Sequence, residues 1–255
     1  MKHTIIGING EVGSCINQFL RSRQEQIIGV DIETKPIKEK VDILHICIPY
    51  TKEFVDTVKK YSIIFSPEYI IIYSTVIPGT TNAIGLNAVH SPIEGRHPNL
   101  IKAFKTFKRL IGGKCAKQVG QFFINRDIEV ETFNDANITE LGKLFSSLRY
   151  GMNLMVSDEE KKICDKFNVN YDETVLKYQQ VYNEGYEKIG DNKFRQSLLV
   201  PPKGEIGGHC VIPNNKLLKE YSFLAQFLYE KYDGTEPEKE IPIKESKSVW
   251  NEILS

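Results

Sequence analysis

His3-Thr4-Ile5-Ile6-Gly7-Ile8-Asn9-Gly10-Glu11-Val12-Gly13 is followed by the helically spaced Ser14-Cys15-Ile16-Asn17-Gln18-Phe19-Leu20 and then by Gln26-Ile27-Ile28-Gly29-Val30-Asp31. The first six residues read as a short buried strand, and Gln26–Val30 as a second. Between them sit a glycine turn and a helix. This order of strand, glycine turn, helix, strand and acid is that of a dinucleotide site. Its glycines permit a tight turn and close approach of a pyrophosphate, and the helix N-terminus faces the phosphates. Gly7, Gly10 and Gly13 are the candidate turn glycines. With Gly10 and Gly13 taken as the second and third of the fingerprint, the first falls on Ile8, and Gly7 stands one position early. Asp31 follows Gly13 by 18 residues, close to the roughly 20 expected of an acid that binds the ribose 2′-hydroxyl. An acid there repels a 2′-phosphate, so the expected cofactor is NAD and not NADP.

Outward from this unit the pattern repeats. Val41–Pro49 is a near-continuous apolar run, as in a buried parallel strand. Residues 51–60 look helical. Tyr69-Ile70-Ile71-Ile72-Tyr73-Ser74-Thr75 is the next strand, with Ser74 and Thr75 at its carboxyl end, where ligands bind in open α/β sheets. Phe107–Gly113 and Ile128–Thr132 are strand-like. Strands alternating with helices imply a parallel sheet covered on both faces. At Asn134-Asp135 the period changes. Ile138, Leu141, Leu144, Phe145, Leu148, Met152 and Met155 keep three-and-four spacing, which predicts one helix running to about Phe167. Lys143 and Ser147 share a face of it. Asp172 starts a further helix, and Asn214 or Asn215 is expected to cap a last one carrying Leu217 to Leu228. The expected division is an α/β, Rossmann-type domain with a mostly parallel sheet over 1–133, a helical middle domain over 134–232 and a charged tail over 233–255.

Lys203-Gly204-Glu205-Ile206-Gly207-Gly208-His209-Cys210-Val211-Ile212-Pro213-Asn214 stands apart. Two glycines before a cysteine and a proline after it suit a bend that presents a thiol to a substrate. A buried structural cysteine in a glycine turn is the alternative.

Bulk properties narrow the field. The chain has 255 residues, 33 basic and 33 acidic, with zero formal net charge. That balance gives no electrostatic reason for binding nucleic acid or an anionic membrane. Cys15, Cys47, Cys115, Cys164 and Cys210 are odd in number and scattered, without zinc spacing, so a reducing cytoplasm is expected and no metal. The N-terminus lacks a charged-then-apolar leader. No apolar run approaches the roughly 20 residues that span a bilayer.

Taken together the motifs resemble the UDP-glucose/GDP-mannose dehydrogenase family, most closely its UDP-N-acetyl-hexosamine branch. Five blocks carry the resemblance: the glycine turn with Asp31; Ile46-Cys47-Ile48-Pro49; Ser74-Thr75-Val76-Ile77-Pro78-Gly79-Thr80-Thr81; Ser91-Pro92-Ile93-Glu94 leading to Ile111-Gly112-Gly113; and Ile206-Gly207-Gly208-His209-Cys210. Glu140-Leu141-Gly142-Lys143-Leu144 matches the start of the family's central helix. The resemblance implies NAD-dependent oxidation of a sugar primary alcohol to the acid, with a sugar nucleotide as substrate. A homodimer built on the long helix is expected from its length and its apolar positions at nearly every turn. It implies cofactor contacts from Gly7, Gly10, Glu11, Val12, Gly13, Asp31, Pro49, Ser74 and Thr75. It makes Cys210 the nucleophile, Lys143 the oxyanion stabiliser, Glu94 the general base and Thr75 the residue that orients water beside the nicotinamide. Ser147 stands where the family has asparagine, and Asn214 where it has aspartate. About 40 residues follow Asn214, so the family's third, nucleotide-gripping domain is expected to be missing. Two other readings stay open: a two-electron hydroxyacid-type dehydrogenase, and an NAD-binding or dimerising module without catalysis.

Overall fold

The structure is a computed structural model that describes residues 1–32, 34, 36–95, 100–202, 206 and 208–232, with backbone only for Gly208 and His209. Most of 203–207 and the expected charged tail lie outside the described residues. By packing the chain forms two compact units, Met1–Ser147 and Leu148–Ser255. The division falls inside the long helix, beyond the 133/134 boundary read from the sequence.

The first unit alternates strands and helices: β1 (Lys2–Ile6), α1 (Glu11–Arg21), β2 (Gln26–Val30), β3 (Ile43–Ile46), α2 (Phe54–Phe65), β4 (Tyr69–Ile72), α3 (Thr80–Ile84), β5 (Ala88–His90), α4 (Leu100–Thr106), β6 (Arg109–Gly112), α5 (Ala116–Ile124) and β7 (Val130–Phe133). The seven strands form one sheet in the order β2-β1-β3-β4-β5-β6-β7. β1 to β5 are mutually parallel, with Ile5 opposite Gly29 and His45. Alternation along each strand sends side chains to both faces. Ile5, Ile71 and Val89 pack with Phe19, Phe104 and Phe123 on one face, while Ile6, Ile46, Ile70 and Ile72 pack with Phe54, Val58 and Phe65 on the other. Burial on both faces explains why these strands read as unbroken apolar runs.

The sheet is not parallel throughout. β6 meets β5 antiparallel at His90–Gly112, and β7 runs with β6. Gly113, at φ +142°, lets β6 end beside the start of β5; a Cβ there would lie 2.8 Å from the Ala88 carbonyl. Hydrophobic pattern fixes which residues are buried and carries no information on strand direction.

The long helix α6 spans Ala136–Lys166, as its spacing predicts. Gly112 admits its first turn, since a Cβ there would stand 2.6 Å from Thr139 Oγ1. In the second unit a π-helical turn (Asp172–Lys177) leads into α7 (Tyr178–Lys188). The single last helix expected from Asn214 is instead two, α8 (Gly208–Leu218) and α9 (Phe223–Tyr232). α8 already starts at Gly208, ahead of the expected cap at Asn214 or Asn215, and runs through Pro213. Ser222 starts α9 anew by accepting the Ala225 N–H at its hydroxyl. Gly151 lets this unit close up, because a Cβ there would meet Leu228 Cδ2 at 2.5 Å and Val211 Cγ1 at 2.7 Å. Among the described residues no helix is long and apolar enough to cross a membrane.

A polar chain runs through the sheet interior. Tyr73 Oη lies 3.1 Å from His45 Nδ1, and His45 Nε2 lies 2.9 Å from His3 Nδ1. His3 Nε2 faces the Glu25 carboxylate at 3.7 Å. An N–H belongs on the nitrogen that faces a carboxylate, so His45 donates to His3 and Tyr73 donates to His45. Burial holds all three interior imidazoles neutral: His3 is lowered to about 4, His90 to about 3, and His45 lies well below the ordinary value. The sign of the linkage follows. In the unfolded chain these rings take up protons below about pH 6.5, whereas the folded protein does not, so stability falls as pH falls. Urea unfolding followed from pH 7 to pH 5, above most carboxylate titration, is expected to lose on the order of 1–2 kcal/mol for each buried histidine. A flat profile over that window would contradict the assignment.

Candidate active site at the carboxyl edge of the sheet

The glycine turn sits at the end of β1, whose connection leaves toward β2, while that of its other neighbour, β3, leaves in the opposite direction toward β4. In open α/β sheets this switch point is where ligands bind. The structure settles which glycine does what. Gly7 is the residue with positive φ, +82°, and a Cβ on it would lie 2.7 Å from the Cys47 carbonyl. Gly13 allows α1 to press onto the turn, since its Cβ would be 2.0 Å from Gly7 O. Gly7 is therefore the first turn glycine, and Ile8 folds over Gly29 of β2, where a Cβ would meet Ile8 Cδ1 at 2.5 Å. Gly10 is the N-cap residue of α1 and supplies no side-chain cap. The first backbone N–H groups of a helix lack intrahelical acceptors, and its N-terminus favours an anion. Glu11 is exposed and Val12 half-buried in the same turn. Asp31 follows β2, and its carboxylate accepts the Asn9 N–H at 2.8 Å and the Ile32 N–H at 2.9 Å. The Asn9 bond, then the Ile32 bond, hold it below the usual carboxylate range. It is a fixed negative charge beside the turn with lone pairs to spare. This cradle fits a dinucleotide.

Farther along the same edge lie the ends of β3 and β4. Pro49 is exposed, and Ser74 donates to the Ile48 carbonyl at 2.6 Å, tying the two ends together. Thr75 is half-buried in the loop between β4 and α3. His90 Nε2 lies 3.2 Å from Ser74 O, and its Nδ1 lies 2.9 Å from Thr139 Oγ1. A carbonyl only accepts, so Nε2 carries the proton and Nδ1 accepts from the threonine. Glu140, fully buried, accepts the Gly79 N–H at 2.7 Å, the Thr81 N–H at 2.8 Å and the Thr81 hydroxyl at 2.6 Å.

One turn farther along α6, Lys143 Nζ donates to the Ile93 carbonyl at 2.7 Å and pairs with Glu94 Oε2 at 3.2 Å. Arg109 of β6 holds the backbone of this loop. Its guanidinium, buried to 1% exposure, donates to Ser91 O, Ser91 Oγ and Pro92 O within 2.9 Å and lies over the Phe104 ring. Burial lowers it to about 10, so it stays a cation at neutral pH.

The structure thus brings Lys143 and Glu94 into contact and sets Ser74 and Thr75 on the same sheet edge as the glycine turn. Cys210 belongs to the second unit. It lies in the first turns of α8, not in an open bend, and it is exposed. Asn214 follows it by one helical turn, on the same face. Cys15, Cys115 and Cys164 are buried and Cys47 half-buried. Burial raises the Cys15 thiol to about 11, and raises Cys47 and Cys115 as well. Thr139, Glu140, His90 and Arg109 received no role from the sequence. The available signal was Glu140 three residues before Lys143, which puts both on one helical face.

The mostly parallel sheet and the long helix that follows it define a Rossmann-like architecture. No family model matches the chain. In sequence it is 25% identical over 209 residues to the UDP-N-acetyl-D-mannosamine dehydrogenase of Methanocaldococcus jannaschii, a match covering 71% of this chain and 44% of that protein. The chain is a homologue of such dehydrogenases, as its motif blocks implied, and spans about half the length of the curated relatives it matches. In structure it is similar to the UDP-D-ManNAc dehydrogenase of Pyrococcus horikoshii, with a TM-score of 0.71 at 16% identity, over 91% of this chain and 68% of that one. The Mycobacterium tuberculosis 3-hydroxyisobutyrate dehydrogenase has a TM-score of 0.64 at 11% identity, over 91% of this chain and 92% of that one.

The cysteine environments give a direct expectation. Brief iodoacetamide treatment followed by peptide mass spectrometry should modify Cys210 first, with Cys15, Cys47 and Cys115 at least about tenfold slower, because Cys210 is exposed while burial shields those three and disfavours their thiolates. Equal labelling of these four would remove Cys210 from the candidate site.

Proposed function

We propose that the protein oxidises the primary alcohol of a sugar or sugar nucleotide to the carboxylic acid with NAD, through a thioester on Cys210. The observation that carries this reading is the Lys143–Glu94 pair at the carboxyl edge of the sheet, within a set of sequence motifs that resemble, in order, those of sugar-nucleotide dehydrogenases. NAD, when bound, would accept hydride at this edge. Gly7, Gly10, Glu11, Val12 and Gly13 would hold its pyrophosphate, Asp31 its adenosine ribose, and Pro49, Ser74 and Thr75 its far half. The ionised Asp31 would repel a 2′-phosphate, which favours NAD over NADP.

The chain's own groups divide the work as follows. Lys143 would stabilise the alkoxide as the alcohol loses its proton and, later, the oxyanion. The Cys210 thiolate would add to the aldehyde carbon, forming a C–S bond; the hemithioacetal would then lose hydride to become a thioester. Glu94 would take a proton from water oriented by Thr75, and hydrolysis would release the acid and the thiolate. Each alcohol consumes one water and two NAD, and yields one carboxylate, two NADH and three protons. Asn214 is an amide on the face of Cys210 and cannot accept a proton as a carboxylate does. That favours, as the second reading, a two-electron oxidation that stops at one NADH.

A screen of UDP-sugars for NADH formation tests the proposal. Two NADH per sugar are expected, falling to one or none in Cys210→Ser while the affinity for NADH stays within about twofold. One NADH in the unaltered protein would establish the second reading, and NADP binding tighter than NAD would overturn the role of Asp31.

The protein is further proposed to be a cytoplasmic homodimer. All five cysteines are free. α6 leaves Ile138, Phe145, Val156 and Ile163 about half exposed, more apolar surface than a surface helix usually shows to water. Sedimentation equilibrium at micromolar concentration should give twice the chain mass; a monomer at high micromolar concentration would refute the dimer.

A further inference from the structure

The loop that carries Thr75 is pinned at both ends by adjacent residues of one helix. Upstream, the Ser74 carbonyl accepts from His90, which in turn is held by Thr139. Downstream, Gly79 and Thr81 donate three hydrogen bonds to the Glu140 carboxylate. Lys143 stands one turn beyond on the same face of α6. The choice of residue is informative. Glu140 is fully buried, and among the described residues it has no ion-pair partner. A buried carboxylate costs several kcal/mol unless donors satisfy it. An apolar contact would hold a helix against a loop at far lower cost. What a carboxylate adds is direction, since both oxygens fix the orientation of two backbone N–H groups and one hydroxyl.

We infer that Glu140 is a positioning residue: with Thr139 it sets where the Thr75–Pro78 loop lies against the nicotinamide half of the dinucleotide, and it locks that loop to the helical turn carrying Lys143. The inference rests on the proposed dinucleotide reading of this edge. It gives Glu140 no contact with any reacting atom. Its effect should therefore fall on one half of the cofactor, because the glycine turn and Asp31, which would hold the other half, are fixed through β1, α1 and β2.

Titration calorimetry with NADH and with ADP-ribose, which lacks the nicotinamide, separates positioning from folding. In Glu140→Gln the affinity for NADH is expected to fall about tenfold, the scale of a lost charged hydrogen bond, while ADP-ribose binding stays within about twofold. Thr81→Val, a milder change that keeps the backbone donors, should lower NADH affinity about threefold. The double variant should be no weaker than Glu140→Gln within about twofold, because both changes remove parts of one network. Amide hydrogen exchange should accelerate in 74–81 and not in β4 or β5. Parallel loss of both ligands, additive effects of the two substitutions, or unchanged exchange at 79–81 would each overturn the inference. If the unaltered protein binds neither ligand, the dinucleotide reading itself fails, and the exchange measurement alone then decides whether Glu140 anchors the loop.

Discussion

A carboxylate cannot be left alone in a protein interior, and Glu140 obeys that constraint with three donors from Gly79 and Thr81 at the start of α3. The requirement joins parts of the chain some sixty residues apart. It fixes the first turns of α6 against the ends of β4 and β5, and the other contacts at this edge follow from that placement. Thr139 reaches His90, Lys143 reaches Ile93 and Glu94, and Gly112 must lack a side chain to let the helix in. The geometry of the candidate site is therefore set by helix docking as much as by the sheet.

Two fixed cations stand at the same edge in different ways. Arg109 is buried, and its Nη2 donates to the carbonyls of Ser91 and Pro92, holding the loop that follows β5. Lys143 is partly exposed and faces Glu94 across 3.2 Å. An arginine fork suits several fixed acceptors at once, whereas a lysine offers a compact charge that can turn toward a new partner. The first holds the backbone; the second is left able to respond to a ligand.

Some of this was written plainly in the residues. The apolar runs of β1, β3 and β4, the glycine turn and the three-and-four spacing of α6 are local patterns, and local patterns survive folding. Gly7 was harder. Glycine spacing alone put the first turn position on Ile8, and only the close approach to the Cys47 carbonyl shows why Gly7 is the residue that must lack a side chain. The break between α8 and α9 was missed because Tyr221, Leu224 and Leu228 continue a helical period across it, while the capping bond of Ser222 depends on where the chain has already turned.

By itself the sequence determined the alternation of strands and helices, the sheet buried on both faces, the long helix and the identities of Lys143, Glu94, Thr75, Asp31 and Cys210 as chemically notable groups. Only the tertiary structure decided that β6 runs antiparallel to β5, that Cys210 lies in a helix, that Lys143 meets Glu94, and that Glu140, Thr139, His90 and Arg109 hold the loops of the site. The physical reason is the same in each case. Burial preference and helical period are properties of neighbouring residues, whereas strand direction and hydrogen bonds between distant segments depend on which surfaces meet once those segments have packed.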